Sequence, residues 1–243
     1  MKFSLTIVIP AYNEMINFQA GKLDQIYHYL QEKNLSWEVL IIDDGSTDGS
    51  DQKIKAWVKN KPQWRLIQNP HQGKAGTIKT GVDQATANHI LFTDFDQATS
   101  IQEVEKLLPF MKRGYPIVIG SREIQGASRK KEPFYRHLMG KVFNLLVQII
   151  ALPGIHDTQC GFKIFETATA RELFNALKIY QNKPEKYAFT GAFDVELLFI
   201  AKKRHIKIAE VPIHWRHEPT TRVNPIRDSI RMFWHVLKIR LYD

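Results

Sequence analysis

One cysteine, Cys160, is all the chain contains. No intramolecular disulfide can form, and a cysteine-rich zinc site is excluded. No apolar stretch reaches the ~18 residues of a membrane-spanning helix. The closest candidate, VFNLLVQIIAL from Val142 to Leu152, is short and interrupted by Asn144 and Gln148. The opening MKFSLTIVIP stops at Pro10; it is too short for a secretory leader and reads as a first strand. No G-x-G-x-x-G follows that strand, and there is no G-x-x-x-x-G-K-[ST], H-E-x-x-H or G-x-S-x-G. Dinucleotide, P-loop, zinc-protease and serine-hydrolase readings therefore lose their signatures. The nine histidines show no metal-ligand spacing, and no repeat or low-complexity tract is evident.

What is present describes a globular chain. Of 243 residues, 44% are hydrophobic and 24% charged, which excludes a mainly disordered or fibrous protein. The net charge is +9, and residues 201–243 hold ten Lys/Arg against four acids, so two-thirds of the excess lies there. A basic end reads either as a solubilising surface or as a site for a polyanion such as nucleic acid, anionic lipid or a phosphorylated substrate.

Near-continuous apolar runs at 5–10, 37–43, 64–69, 89–94 and 116–120 predict strands covered on both faces. Between them, 14–31, 48–60, 75–87 and 100–112 predict helices, with Asn13, Asp48 and the Ser100/Glu103 pair as N-terminal caps. This order predicts an α/β fold, a mostly parallel sheet with flanking helices. Beyond residue 121, SREIQGASRKKEP reads as a mobile loop, 133–152 and 166–177 as helices, IYQNKPEKY as a loop, FDVELLFIAKKR as a helix and IKIAEVPIHW as a strand. A last helix is capped by Asn224 with Pro225 in its first turn, and its apolar stripe is read as Ile226, Ile230, Phe233, Leu237 and Leu241.

Ligands of open parallel sheets bind beyond the carboxyl ends of the strands. Three predicted strands end there in polar groups: Pro10-Ala11-Tyr12-Asn13-Glu14, Asp43-Asp44-Gly45-Ser46 and Asp94-Phe95-Asp96. Converging carboxylates repel unless a cation binds, and a divalent metal carrying a diphosphate suits them. Alternatively, DDGSTDGS is only a turn and a helix cap.

VIPAYNE, IIDDGSTDGS, NPHQGKAGTIKTGV and FTDFDQAT, in this order, resemble the family 2 glycosyltransferases, inverting enzymes with the Rossmann-like GT-A fold that binds nucleotide-diphospho-sugars. DTQCGFKIF, FDVELLFIAKKR and EVPIHW extend the likeness to the branch that glycosylates polyprenyl phosphates, particularly the dolichyl-phosphate β-glucosyltransferases. The resemblance implies a GT-A domain over 1–215, with a nucleotide-sugar half (1–120) and an acceptor half (121–215). It leaves 216–243 as a basic amphipathic interfacial helix.

By the same likeness Pro10, Ala11, Tyr12 and Glu14 surround the donor's base and ribose. One of Asp43 and Asp44, rather Asp44, bonds the base or ribose, and Lys74 lies near the donor. Asp94 and Asp96 form the D-x-D pair for Mg²⁺ or Mn²⁺, Asp96 coordinating and Asp94 near the sugar or ribose. The related mannosyltransferases have a metal-holding glutamine where this chain has Ala98, and Gln97 is expected to point elsewhere. Arg122 and Arg136 align with arginines gripping the lipid phosphate, and Arg222 with a basic residue closing over the diphosphate. Asp157 organises the active site, and Asp194 positions the acceptor or starts a helix. Arg129, Lys130 and Lys131 read equally as a solvated loop or as a collector of the acceptor.

The implied activity is metal-dependent, inverting hexose transfer, glucose from UDP-glucose, to a polyprenyl or dolichyl phosphate. GDP-mannose as donor or a saccharide hydroxyl as acceptor are the alternatives; nucleic acid is disfavoured because the acidic strand ends repel phosphate. A lipid acceptor without a spanning helix implies peripheral contact at the cytoplasmic face of a membrane, through the helices near 133–152 and at the C-terminus, with Trp234 and Tyr242 at headgroup depth.

Overall fold

The apolar runs of the first half become β1 (Ser4–Ala11), β2 (Ser36–Asp43), β3 (Trp64–Gln68), β4 (His89–Phe92) and β5 (Ile117–Ser121). The computed structural model describes residues 3–130, 134–180, 192–218 and 225–242. The alternating helices are α1 (Met15–Gln19), α2 (Lys22–Gln31), α3 (Ser50–Val58), α4 (Gly73–Gln84) and α5 (Val104–Lys112), the last entered through one 3₁₀ turn. The second half adds β6 (Ser128–Lys130), α6 (Phe134–Ile150), β7 (Lys163–Glu166), α7 (Thr167–Ala176), α8 (Phe193–Lys203), β8 (Ile208–Pro212), β9 (His214–Arg216) and α9 (Pro225–Tyr242).

Among the described residues, seven strands form one sheet in the order β3-β2-β1-β4-β7-β5-β8. β7 runs antiparallel to both neighbours, β4 and β5; the other pairs are parallel. One face of the sheet buries Val8, Ile90, Phe92 and Phe165 beneath α4, α6, α7, α8 and α9. The other buries Ile7, Ile41, Leu91 and Ile164 beneath α2 and α5. α4 lies hard against β1: a Cβ on Gly81 would stand 2.3 Å from Cγ1 of Val8. That approach sets the first turn of α4 at the sheet's carboxyl rim.

Several sequence expectations change. The stretch 14–31 is two helices, broken at Gly21, whose φ of +70° favours glycine. The N-cap of α3 is Gly49 rather than Asp48; the Asp48 carboxylate, one residue earlier, accepts from the backbone N–H of Met15 (3.0 Å) and of Ser50 (2.9 Å) and so ties the start of α1 to that of α3. The N-cap position of α1 is Glu14, and the Asn13 side chain accepts from the N–H of Thr47 (2.7 Å). The Ser100 hydroxyl meets the Gln102 side chain, so no capping box with Glu103 forms. The loop read over 121–133 contains β6, which pairs in parallel with β9. The strand read over 206–215 is two, since Ile213 turns to bond the Ser121 carbonyl (3.0 Å) and the chain leaves the main sheet. Among the described side chains of α9 the buried ones are Val236 and Ile239, while Leu241 of the expected stripe is 81% exposed; the side chains of Ile226 and Ile230 lie outside the described part. Asn224 and part of the loop at 179–187 lie outside the described residues.

Candidate active site

β1 and β2 end together, Ala11 paired with Asp43, and the N–H of Asp44 closes the corner on the Ala11 carbonyl (2.8 Å). The buried Asp44 carboxylate accepts from the backbone N–H groups of Gln72 (2.8 Å) and Gly73 (2.9 Å) and contacts Nδ1 of His71 (2.8 Å). It thus satisfies orphan donors at the N-terminus of α4, where negative charge is favoured. Asp43 differs. Its Oδ2 accepts from the N–H of Ser46 (3.2 Å), whereas its buried Oδ1 has no partner among the described residues. The His71 ring stacks on Tyr12 with centroids 4.6 Å apart, and its buried Nε2 also has no partner among the described residues. Unsatisfied buried polar atoms are rare in folded proteins and call for a partner. Pro10 and Ala11 form the floor of this corner, and Glu14, buried, receives the Asn17 amide at 2.5 Å.

β4 hands over to the acidic turn. Asp94 Oδ1 receives Nζ of Lys74 at 2.6 Å, from the first turn of α4. Burial disfavours the Lys74 charge, but Asp94, Asp194 and Asp96 outweigh it and raise its pKa. Asp96 Oδ1 accepts from the N–H of Ala98 (2.9 Å); its Oδ2 has no hydrogen-bond partner among the described residues. Burial, and then the charge of Asp94, push the Asp96 carboxyl up to about 6, against the Ala98 N–H and Lys74. Gln97 points inward, donating to Thr93 Oγ1 (3.2 Å) and the Asp94 carbonyl (2.8 Å) and accepting from the N–H of Ile101 (3.0 Å). It is therefore taken up inside the turn, as expected.

A divalent cation fits this turn. The donors are hard carboxylate oxygens, the sort Mg²⁺ and Mn²⁺ prefer, and their mutual repulsion already disfavours ionisation of Asp96. No group of three or more His, Cys, Asp or Glu able to hold a metal occurs among the described residues. Asp94 and Asp96 would leave the remaining positions to ligand and water.

A buried charge network backs the rim. Lys163, only 1% exposed, sits opposite Phe92 on β7 and donates to Asp194 Oδ1 (2.6 Å) and to the Cys160 carbonyl. Pro10, Lys74, Asp94, Gly161, Lys163 and Asp194 line a small cavity walled by Phe92 and Phe193. A Cβ on Gly161 would lie 2.1 Å from Asp94 Oδ2, so only glycine lets the Cys160–Lys163 segment press on that carboxylate. Arg122 gives Nε (2.7 Å), Nη2 (2.9 Å) and its backbone N–H (2.9 Å) to Asp157. Burial would raise the Asp157 carboxyl, but the Arg122 charge, these bonds and Lys163 hold it at about 2. Arg122 also lies 5.4 Å from the Trp215 ring centroid.

Most site residues read from the sequence thus meet at one rim: Pro10, Ala11, Tyr12, Glu14, Asp43, Asp44, Lys74, Asp94 and Asp96, with Arg122, Asp157 and Asp194 behind or beside it. Arg136 is in the first turn of α6 by its backbone, its side chain outside the described part; Arg222 lies outside the described residues. The reading missed His71, Gly161 and Lys163. A lysine inside the apolar run GFKIF was the available signal, since a lysine is almost never fully buried unless paired.

The model of the family described as "Glycosyl transferase family 2" matches residues 6–174. The chain is 34% identical over 250 residues to a dolichyl-phosphate beta-glucosyltransferase of Dictyostelium discoideum, covering 97% of this chain and 73% of that one. It is 31% identical over 263 residues to the dolichyl-phosphate beta-glucosyltransferase of Homo sapiens, covering 98% and 75%. Among solved structures, glucosyl-3-phosphoglycerate synthase from Mycobacterium tuberculosis, in complex with Mn²⁺, uridine-diphosphate and glucosyl-3-phosphoglycerate, shares the fold with a TM-score of 0.68 at 18% identity, over 99% of this chain and 79% of that one. A mannosyltransferase from Pyrobaculum calidifontis in complex with GDP-Man and Mn²⁺ gives 0.59 at 20% identity, over 100% and 70%.

Proposed function

The chain belongs to glycosyl transferase family 2 and is a glycosyltransferase, and from this we propose that it transfers glucose from UDP-glucose to a polyprenyl or dolichyl phosphate. The observation that carries the reading is the meeting of Asp43, Lys74, Asp94 and Asp96 at one rim, in a chain similar over nearly its whole length to dolichyl-phosphate beta-glucosyltransferases.

In this reading Tyr12 and His71 flank the nucleobase and Asp43 Oδ1 accepts a hydrogen bond from it, with Pro10, Ala11 and Glu14 closing the base and ribose corner. The free oxygen favours Asp43 over Asp44 for that contact, since the Asp44 carboxylate already serves α4 and His71. Asp96, with Asp94 beside it, would hold Mg²⁺ or Mn²⁺, which neutralises the donor diphosphate. Lys74 fixes Asp94, and Lys163 fixes Asp194 behind it.

An oxygen of the acceptor phosphate attacks the anomeric carbon as the bond to the donor diphosphate breaks, with inversion to a β-linked product. A phosphomonoester with a second pKa near ~6 is mostly dianionic at pH 7, so no general base is needed. Asp157, paired to Arg122 and held ionised, orients rather than deprotonates. Arg122 Nη1, which has no hydrogen-bond partner among the described residues, is assigned to the acceptor, and Arg136 and Arg222 are assigned to the lipid phosphate and the diphosphate. Catalysis is then positioning and charge stabilisation.

Membrane contact at the cytoplasmic face is assigned to α6 and α9. Val142, Leu145 and Ile149 are exposed along one side of α6, as are Trp234 and Leu241 on α9, with Lys141, Lys238 and Arg240 nearby in sequence and exposed. Among the described residues, no helix is long and apolar enough to cross a membrane.

The test is incubation of the purified protein with a panel of nucleotide sugars, a polyprenyl phosphate and Mg²⁺ or Mn²⁺. Organic-extractable glucolipid from UDP-glucose, abolished by chelation and restored by either ion, is the expected result; absence of glycolipid from every donor sinks the reading.

A further inference from the structure

The β6/β9 ribbon stands beside the acidic turn, outside the main sheet. The N–H of Arg216 donates to the Ala98 carbonyl (2.8 Å), and Thr99 forms an isolated antiparallel bridge with Trp215. The parallel register sets Ser128 beside His214, Arg129 beside Trp215 and Lys130 beside Arg216. Side chains alternate between faces along a strand, so Lys130 and Arg216 share one face and Arg129 and Trp215 the other. The contacts agree: Arg129 lies 5.9 Å from the Trp215 ring centroid, and Ser128 Oγ meets His214 Nδ1 at 2.7 Å.

The two faces differ in charge balance. Arg129 is half-buried and paired with Glu123. Lys130 and Arg216 are exposed, and neither side chain has an acidic partner among the described residues. The acids nearby are engaged: Glu103 with Lys106 and the N–H of His214, Glu218 with Lys22. Like charges directly opposite on paired strands are destabilising, and a ribbon of two three-residue strands has little stability of its own to offset them. An anion bridging the two removes the repulsion. A guanidinium fork next to an ammonium matches a phosphate, one bidentately and one as a point charge.

We infer that Lys130 and Arg216 form a subsite for a lipid-borne phosphate group at the edge of the acidic turn, separate from Arg122. The inference rests on the lipid-phosphate reading above. The phosphate is either the acceptor's own or a bilayer headgroup, and two arms of one experiment separate these sources.

The double variant K130Q/R216Q is compared with the charge-keeping K130R/R216K and the unaltered protein. In vesicle-free solution, with UDP-glucose and farnesyl phosphate, acceptor capture predicts an acceptor KM raised about tenfold in K130Q/R216Q, with kcat and donor KM within about twofold and the charge-keeping variant near normal. In flotation, headgroup capture predicts loss of binding to phosphatidylglycerol vesicles, binding to phosphatidylcholine being unchanged, while the farnesyl phosphate KM stays put. A change in either arm supports the subsite and names its source. No change in both overturns it. Should the unaltered protein transfer nothing to farnesyl phosphate, the functional reading fails; calorimetric titration with farnesyl phosphate and the flotation arm still decide whether the pair binds phosphate.

Discussion

Asp43 and Asp44 are adjacent at the end of β2, yet one carboxylate is fully engaged by α4 and His71 while the other keeps a buried oxygen that has no partner among the described residues. Asp44→Ala should therefore act on stability, costing about 1–2 kcal/mol for the lost helix-terminal contacts, read from the urea midpoint. Asp43→Ala should leave that midpoint nearly unmoved and raise the donor KM about tenfold or more, the worth of a hydrogen bond to a charged group. Lys163→Met should be worse for the fold than either. It leaves Asp194 buried without its cation, a loss of about 3–5 kcal/mol, visible as a lowered Tm. The D-x-D pair and the double aspartate were legible in the sequence because strand-end carboxylates break an apolar run. Which oxygen of which carboxylate stays unpaired was not, because Gln72, Gly73 and His71 lie 28, 29 and 27 residues further along the chain. Lys163 was overlooked for the same reason, its counter-charge being supplied by α8.

At the level of elements, the strands and helices of the first half followed from their period, since continuous apolar runs between amphipathic stretches admit few arrangements. β6 did not: three polar residues show no strand period, and they pair only because β9 leaves the main sheet beside them. α9 carries apolar residues on more than one side, and contact with α6 and α8 rather than its own pattern selects Val236 and Ile239 for burial. The segment leading into β7 is more constrained than its sequence shows. In Gly161→Ala the new methyl meets the Asp94 carboxylate and displaces it from Lys74. The expected outcome is a kcat lowered by up to about 10²-fold, as for an ångström-scale misplacement, with the circular dichroism spectrum and Tm retained. Unchanged kcat would mean that Asp94 has no positional role.

For the whole molecule, the Arg122–Asp157 pair ties the end of β5 to the segment before β7, and it carries a pH signature. Asp157 titrates near 3.8 in the unfolded chain and about 2 in the fold. Its contribution to stability is present in full above 3.8 and is lost as pH falls through about 2, because the unfolded state then takes up the proton first. Arg122→Met should erase the part of the acid-induced decline that falls between those values, about 2 kcal/mol, measured by urea unfolding from pH 5 to pH 2; a decline of the same depth in the variant would remove the pair as its source.

β7 is made after β5 and yet lies between β4 and β5 in the sheet. During synthesis β5 leaves the ribosome with no strand to sit beside, because its neighbours β7 and β8 are still untranslated. A fragment ending near residue 120 would carry β5 as an orphan and expose the edge of β4 along its length. A cut near residue 120 would thus part β5 from both of its sheet neighbours, and the nascent form has an open seam that closes only when residues 163–166 arrive.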